Sequence, residues 1–330
     1  MIVKTVKLVN FRSHKVYQLD CRKATSLIVG ENGSGKTSVL EAIYIALRGK
    51  SFKAVDREIV QRGQDFYRIE LEYSNSEKVK VVYDGVVKKY EVSGQKFKRL
   101  PKKHHYPIVL FEPDDLNLVT SGPSRRRTYL DRFLGQVLES YHNSLLKYEK
   151  ALKQRNELLK QDYLKRNELF SWNILLAQYG CEIYRMRKAL ILEIDKKITK
   201  RYQMIAKNQD RAGILYVSTA TDNESEYLKN LEESFERDRM TKCTNFGVHR
   251  DDIEFIFNDV LADGSASRGE VRSMIIALKF IEAAMIEEKL KKKPLILLDD
   301  VFSELDEERQ KCLVNNFKDN QIIMTSVREI

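Results

Sequence analysis

Two short stretches, far apart in the chain, restrict its fold more than any other feature. The first is SLIVGENGSGKTSVLEAIYIALRG, residues 26–49. Gly30, Gly35, Lys36 and Thr37 satisfy the pattern G-x-x-x-x-G-K-[ST]. Glycines there let successive backbone N–H groups turn inward on phosphate oxygens, the lysine reaches the β- and γ-phosphates, and the hydroxyl is a Mg²⁺ ligand. The flanks agree. TSLIV (25–29) predicts a short buried strand, and KTSVLEAIYIAL (36–47) has a helical apolar period ended by Gly49. The phosphates would then meet a helix N-terminus, whose orphan N–H groups and dipole favour anions.

The second stretch is PLILLDDVFSELD, residues 294–306. Leu295–Leu298 read as a fully apolar strand that ends in Asp299 and Asp300. Two adjacent carboxylates at the end of a buried strand are costly unless a cation or proton occupies them. Mg²⁺ held through water by Asp299 answers that, with Asp300 as the base that orients an attacking water. The alternative is a pair that caps the following segment. Just upstream, SASRGEVRSMIIALK (265–279) places Ser267 and the N–H of Gly269 at the start of an apolar helix, a second ready anion site. Ordinary helix capping gives the same pattern. One triphosphate needs only one P-loop, however, so a second anion site points to the γ-phosphate of another subunit.

Between the two halves, IVKTVKLV (2–9), YRIELEY (67–73) and KVKVVY (78–83) alternate like strands, and Asp84-Gly85 predicts a hairpin turn into residues 86–92. PIVLF (107–111) predicts another strand. From Ser124 to Asn208 there is no proline, and apolar residues recur at helical spacing in two runs around polar QDYLKRNE (161–168). This predicts an antiparallel hairpin of two helices, each about 23 residues, or roughly 35 Å, long. The aromatic stripe Tyr141, Tyr148 and Tyr179 is expected to be core. Strand character returns at 213–217 and 253–257, followed by a helix after Gly269, PLILLDD and QIIMTS. The expected class is therefore α/β, with a head formed by residues 1–121 and 209–330 and a helical insert at 122–208.

Charge sharpens this division. Gly122–Asn208 holds 19 Lys and Arg against 9 Asp and Glu, while the rest of the chain balances at 39 of each, so the whole net charge of +10 falls on the insert. An acidic partner such as nucleic acid is expected there. Arg125, Arg126 and Arg127 are its sharpest cluster, with KFKRLPKK (96–103) a second candidate; a solvated helix start is the plain alternative for the first. No run of 18 apolar residues exists, MIVKTVKLVN lacks the apolar core of a signal peptide, and the four cysteines form no CxxC. A cytoplasmic chain with no membrane partner is the expectation.

The combination resembles the ABC-type ATPases of DNA maintenance. VKLVNFRSH resembles the opening of the structural-maintenance-of-chromosomes and RecF group, and FEPDDLNLVTSGPSRRRTYLD (111–131), FGVHRDDIEF (246–255) and LLDDVFSELD (297–306) resemble RecF-family segments in order and spacing. The resemblance covers essentially the whole chain. It implies an ABC-type P-loop ATPase head, a mixed sheet plus a small antiparallel sheet, with a short helical-hairpin lobe inserted. It also implies ATP and Mg²⁺ as cofactors and an ATP-bound homodimer that holds two nucleotides between opposite subunits. Carried over by position, Gly30, Glu31, Asn32, Gly33, Ser34, Gly35, Lys36, Thr37 and Ser38 cradle ATP. Thr37 and Asp299 hold the metal, and Asp300, Lys36 and Ser267 act in catalysis. Ser267, Gly269, Glu270, Ser303 and Asp306 serve the dimer site in trans, and Arg12 neighbours the phosphates or base. The implied function is DNA repair and replication, including the SOS response to DNA damage: gripping gapped or double-stranded DNA and assisting the RecR and RecO mediators in loading a recombinase.

Three departures stand out. Residues 267–271 read Ser-Arg-Gly-Glu-Val and not the Leu-Ser-Gly-Gly-Gln of transporters, where Arg268 has no counterpart. The catalytic position is Asp300, where glutamate is commoner, and Met324-Thr325-Ser326 lacks the switch histidine of many ABC proteins. Slow, DNA-stimulated hydrolysis that acts as a timer is expected. The rivals are a transporter ATPase subunit, a DNA clamp with a vestigial ATPase and a small-molecule kinase. The sequence leaves open the role of His249-Arg250-Asp251-Asp252; a structural turn with a paired Arg and Asp is the expectation.

Overall fold

The computed structural model describes residues 2–21 and 24–328. The chain divides into two compact units, Met1–Asp115 with Ala283–Ile330, and Leu116–Glu282.

The first unit contains two sheets. Strands β1 (Val3–Phe11), β2 (His14–Asp20), β4 (Tyr67–Tyr73), β5 (Lys78–Tyr83), β6 (Lys88–Val92) and β7 (Gln95–Phe97) form an antiparallel sheet in the order β2-β1-β4-β5-β6-β7. Tyr67, Ile69, Leu71 and Tyr73 of β4 face inward, while Arg68 and Glu70 pair on the outer side. That alternation is what a sheet with one solvated face requires. Strands β3 (Thr25–Val29), β8 (Ile108–Phe111), β12 (Leu295–Leu298) and β13 (Ile322–Ser326) form a parallel sheet in the order β3-β13-β12-β8. Every residue of β8, β12 and β13 is buried, as the unbroken apolar runs predict. Helix α1 (Lys36–Arg48) contacts both sheets and is buried from Val39 to Leu47, so it is apolar around most of its circumference. Short helices α2 (Asp56–Ile59) and α9 (Glu307–Asn316) complete the unit.

The second unit is larger than the expected insert. It contains α3 (Pro123–Val137), α4 (Glu139–Leu158), α5 (Phe170–Ala206), α6 (Glu224–Glu233), α7 (Phe235–Thr241) and the start of α8 (Arg268–Leu290), with a three-stranded sheet β11-β10-β9 made of β9 (Ala212–Val217), β10 (Asp252–Phe257) and β11 (Val260–Leu261). The small sheet belongs here because β9 packs along α5. The predicted two-helix hairpin becomes three helices of unequal length. Leu138, at φ −128° and ψ 113°, breaks the first apolar run with no proline or glycine at the junction. The second run continues well past the expected end, to 37 residues, about 55 Å of helix. The expected aromatic core holds for Tyr141 and Tyr148, which are buried, whereas Tyr179 is only half-buried.

Buried charge organises this unit. Arg187, 2 % exposed, donates to Asp131 at 2.8 Å, to Asp251 at 3.0 Å and to the Val248 carbonyl at 2.7 Å. Arg155 and Asp238 are fully buried and paired at 2.7 Å, with Asn173 and Thr244 accepting from the same guanidinium. Burial pushes the Asp251 carboxyl up, while Arg187 and the hydroxyls of Ser218 and Tyr216 pull it back. Removing one partner from a buried pair of this kind costs about 3–5 kcal/mol. The 249–252 turn is held by buried pairs, but its aspartates pair with arginines far away in sequence and not with Arg250.

His249 closes a hydrogen-bond chain. Its Nε2 lies 2.9 Å from the Thr244 carbonyl, which can only accept, so Nδ1 is the acceptor for the Tyr148 hydroxyl at 2.8 Å. Gly247 sits at φ +127°, where a Cβ would lie within 2.5 Å of the Tyr148 and Tyr227 hydroxyl oxygens. Burial holds His249 down to about 4. The folded chain therefore keeps this imidazole neutral where the unfolded chain, titrating near 6.5, already binds a proton. Its contribution is present above about pH 6.5 and is lost as pH falls towards 4. Chemical denaturation across this window should show a loss of roughly 3 kcal/mol. His249→Gln should flatten that slope; an unchanged acid slope in the variant would remove His249 as its source.

Candidate nucleotide site

The four parallel strands bring the separated halves of the site together. Met324 pairs with both Leu27 and Leu298, so the C-terminal ends of β3, β13 and β12 lie side by side. Open α/β sheets bind ligands at this edge.

Helix α1 starts at Lys36 with no side-chain cap and no acidic residue in its first turn. Its N-terminal N–H groups therefore face a cleft of about 450 Å³ lined by Arg12, Ser13, Asn32, Gly33, Gly35–Ser38, Glu58, Val60 and Asp300. Gly35 has φ +93°, and a Cβ there would lie 2.5 Å from both Ser13 Oγ and His14 Nε2. No other residue fits that position without displacing the 13–14 turn. The Lys36 ammonium donates to the carbonyls of Gly30 at 2.7 Å and Glu31 at 3.0 Å, and lies 3.8 Å from Asp300 Oδ2.

Thr37 Oγ1 donates to Asp299 Oδ1 at 2.7 Å. Thr325 Oγ1 donates to the same oxygen at 3.0 Å and accepts from the Asp300 N–H at 2.8 Å. Thr325 is fully buried; in the sequence it is marked only by its place at the end of the last apolar strand, where a switch histidine is missing. Asp300 has φ +53°, left-handed backbone that a non-glycine residue adopts at a cost. Its Oδ1 is buried without a hydrogen-bond partner. An orphan carboxylate oxygen beside a lysine, at the mouth of a phosphate loop, is an arrangement that a water or a cation completes. Thr37 and Asp299 are hard oxygen donors, and their placement fits a divalent metal.

The remaining predicted residues fall into distinct groups. Arg12 lines the cleft, but its guanidinium is bound to both oxygens of buried Glu41 at 2.9 Å. It acts here as a strut between β1 and α1. Glu31, Asn32, Gly33, Ser34 and Ser38 form the loop and first turn around the cleft. In the second unit, Ser267 and Glu270 cap α8 reciprocally: Glu270 Oε2 accepts from the Ser267 N–H at 2.6 Å, and Ser267 Oγ from the Glu270 N–H at 3.4 Å. Ser267 is exposed and Gly269 half-buried. Ser303 Oγ donates to the Asp300 carbonyl at 2.7 Å, and Asp306 caps α9 by accepting from the Arg309 N–H at 2.9 Å. That bond holds the Asp306 carboxyl below its ordinary range.

The arginine cluster separates. Arg126 is bidentate to Asp252 at 2.6 and 2.7 Å and also donates to the carbonyls of Leu118 and Val119. Arg127 donates to the Asp251 carbonyl at 2.8 Å. These two guanidiniums are bound within the unit, which leaves them fewer free donors for an outside phosphate than a solvated arginine run would offer. Three of the positive charges counted on 122–208 are likewise paired with acids beyond Asn208: Arg155, Arg187 and Arg126 pair with Asp238, Asp251 and Asp252.

Comparison with known proteins agrees with this geometry. An AAA ATPase domain family matches residues 1–327. The chain is 33 % identical to the DNA replication and repair protein RecF of Clostridioides difficile (strain 630), over 99 % of this chain and 91 % of that one. It is 34 % identical to that of Lachnospira eligens, over 98 % and 92 %. A solved structure of the recombination mediator protein RecF with ATP, described as part of the RecFOR pathway, superposes with a TM-score of 0.88 at 28 % identity, over 99 % and 92 % of the two chains. No helix among the described residues is long and apolar enough to cross a membrane. A phosphate loop, a strand-end aspartate pair and a match along nearly the full length together place this ATPase in the RecF family of DNA replication and repair proteins.

Proposed function

We propose that the chain grips DNA as an ATP-bound homodimer and releases it on slow hydrolysis. The observation that carries this is the junction of Thr37, Asp299 and Thr325 beside the buried, unpartnered oxygen of Asp300. Mg²⁺ held by Thr37 and Asp299 would neutralise charge on the β- and γ-phosphates. Lys36 stands ready to exchange two backbone carbonyls for phosphate oxygens, and Asp300 orients the attacking water. A shorter side chain than glutamate, with a buried threonine where a switch histidine stands elsewhere, supports a low turnover.

Dimerisation is supported by the incompleteness of each half. The P-loop cleft opens to solvent, and Ser267, Gly269 and Glu270 begin a helix whose start is accessible. Ser303 and Asp306 are also exposed near the strand-end acids. RecR and RecO come to this chain as partners through its likeness to the RecFOR mediator, as does the role of assisting recombinase loading at gapped DNA. With Arg126 and Arg127 engaged internally, the better DNA candidate is the strand β7 edge and the loop after it. Lys96, Lys98, Arg99 and Lys103 are all exposed there.

Lys36→Ala should abolish ATP-dependent dimers, whereas Asp300→Asn should keep them and slow turnover by about 10²-fold or more. Dimer lifetime after ATP dilution reads both; a lifetime unchanged by Asp300→Asn would exclude this carboxylate as the resetting group. Replacing Lys96, Lys98, Arg99 and Lys103 by Gln should weaken DNA binding and lower the slope of log affinity against log salt by up to roughly 3. An unaltered slope would move the DNA surface elsewhere.

A further inference from the structure

The loop after α1 supplies a second lysine to the strand-end acids. Lys53 Nζ lies 3.5 Å from Asp299 Oδ2. The Asp299 side chain is 5 % exposed and that of Lys53 40 %. The two hydroxyls on Asp299 Oδ1 satisfy its lone pairs but bring no charge, and a buried carboxylate needs a counter-charge as well as hydrogen bonds. Lys36 does not provide it, since its ammonium rests on Gly30 and Glu31 and faces Asp300. The two lysines thus divide the two aspartates between them.

The backbone that carries Lys53 is fixed. Ser51 Oγ accepts from the N–H groups of Lys53 at 2.9 Å and Ala54 at 3.1 Å, and itself donates to Glu41, which Arg12 holds from the other side. The side chain beyond that anchor is long and half in solvent, and the Phe52 ring lies 5.7 Å from its ammonium. It can leave Asp299 without any movement of the loop.

We infer that Lys53 is a built-in counter-cation for Asp299, which a divalent metal must displace. The inference rests on the assignment of Asp299 as a metal residue. An ammonium and a divalent cation cannot share Oδ2 without repulsion, so Lys53 lowers the affinity of the carboxylate for metal alone. A metal accompanied by triphosphate brings its own anionic oxygens, which offset that repulsion and offer the displaced ammonium a partner. Lys53 therefore favours loading of metal and nucleotide together over occupation by free metal.

The test is Mn²⁺ binding without nucleotide, followed by electron paramagnetic resonance on the full chain. Lys53→Met and Lys53→Gln should each tighten Mn²⁺ binding roughly two- to fivefold, as expected for a partly exposed pair, with the gain shrinking as salt rises. Lys53→Arg should stay near the parent protein. Adding Asp299→Asn to Lys53→Met should erase the gain. Equal or weaker Mn²⁺ binding in both neutral variants overturns the role of Lys53. If Asp299→Asn alone leaves binding of Mn²⁺ with ATP unchanged, the metal assignment itself fails, which is a separate result.

Discussion

A single hydrogen bond, from Thr37 Oγ1 to Asp299 Oδ1, joins the first turn of α1 to the end of β12. That junction brings the phosphate loop and the strand-end acids together. It exists only because β3, β13 and β12 lie adjacent and parallel, so that residues from the two ends of the chain finish at one edge. Thr325, on the strand between them, braces both aspartates at once: it donates to the Asp299 carboxylate and accepts from the Asp300 backbone. The left-handed backbone at Asp300 is held by this contact and by Ser303 beneath it. The strain there buys a carboxylate aimed at the mouth of the phosphate loop.

The second unit uses charge differently. Three of its arginines work inward. Arg126, Arg155 and Arg187 fasten helices to the 238–252 segment through Asp252, Asp238 and Asp251. Such pairs are costly to bury, but they tolerate few alternative arrangements, because each guanidinium has several fixed partners. The start of α8 sits in this unit with its capping box of Ser267 and Glu270, which gives that helix a defined first turn.

Much of this was legible in the residues. The P-loop, the apolar strand before Asp299-Asp300 and the small alternating strands are local patterns, and local patterns survive folding. What the sequence concealed depends on partners far away. Arg126 and Asp252 are 126 positions apart, and nothing near either residue reports the other. An arginine run reads as an exposed patch until its acids are located. The break at Leu138 has no proline or glycine to announce it, and the length of α5 follows from its packing against β9 and α6. In the sequence Thr325 is only the place where a histidine is missing; its two hydrogen bonds come from strand order. Lys53 is a lone lysine in a loop with no motif around it, and only the fold places it beside Asp299.

On the proposed function, one chain supplies complementary fragments of a site that only a second copy completes. Sedimentation velocity with and without ATP and Mg²⁺ measures it most directly. A monomer that becomes a dimer on adding nucleotide, and returns as nucleotide is hydrolysed, is the predicted result. A chain that remains monomeric at high concentration while turning over ATP at its full rate would contradict it.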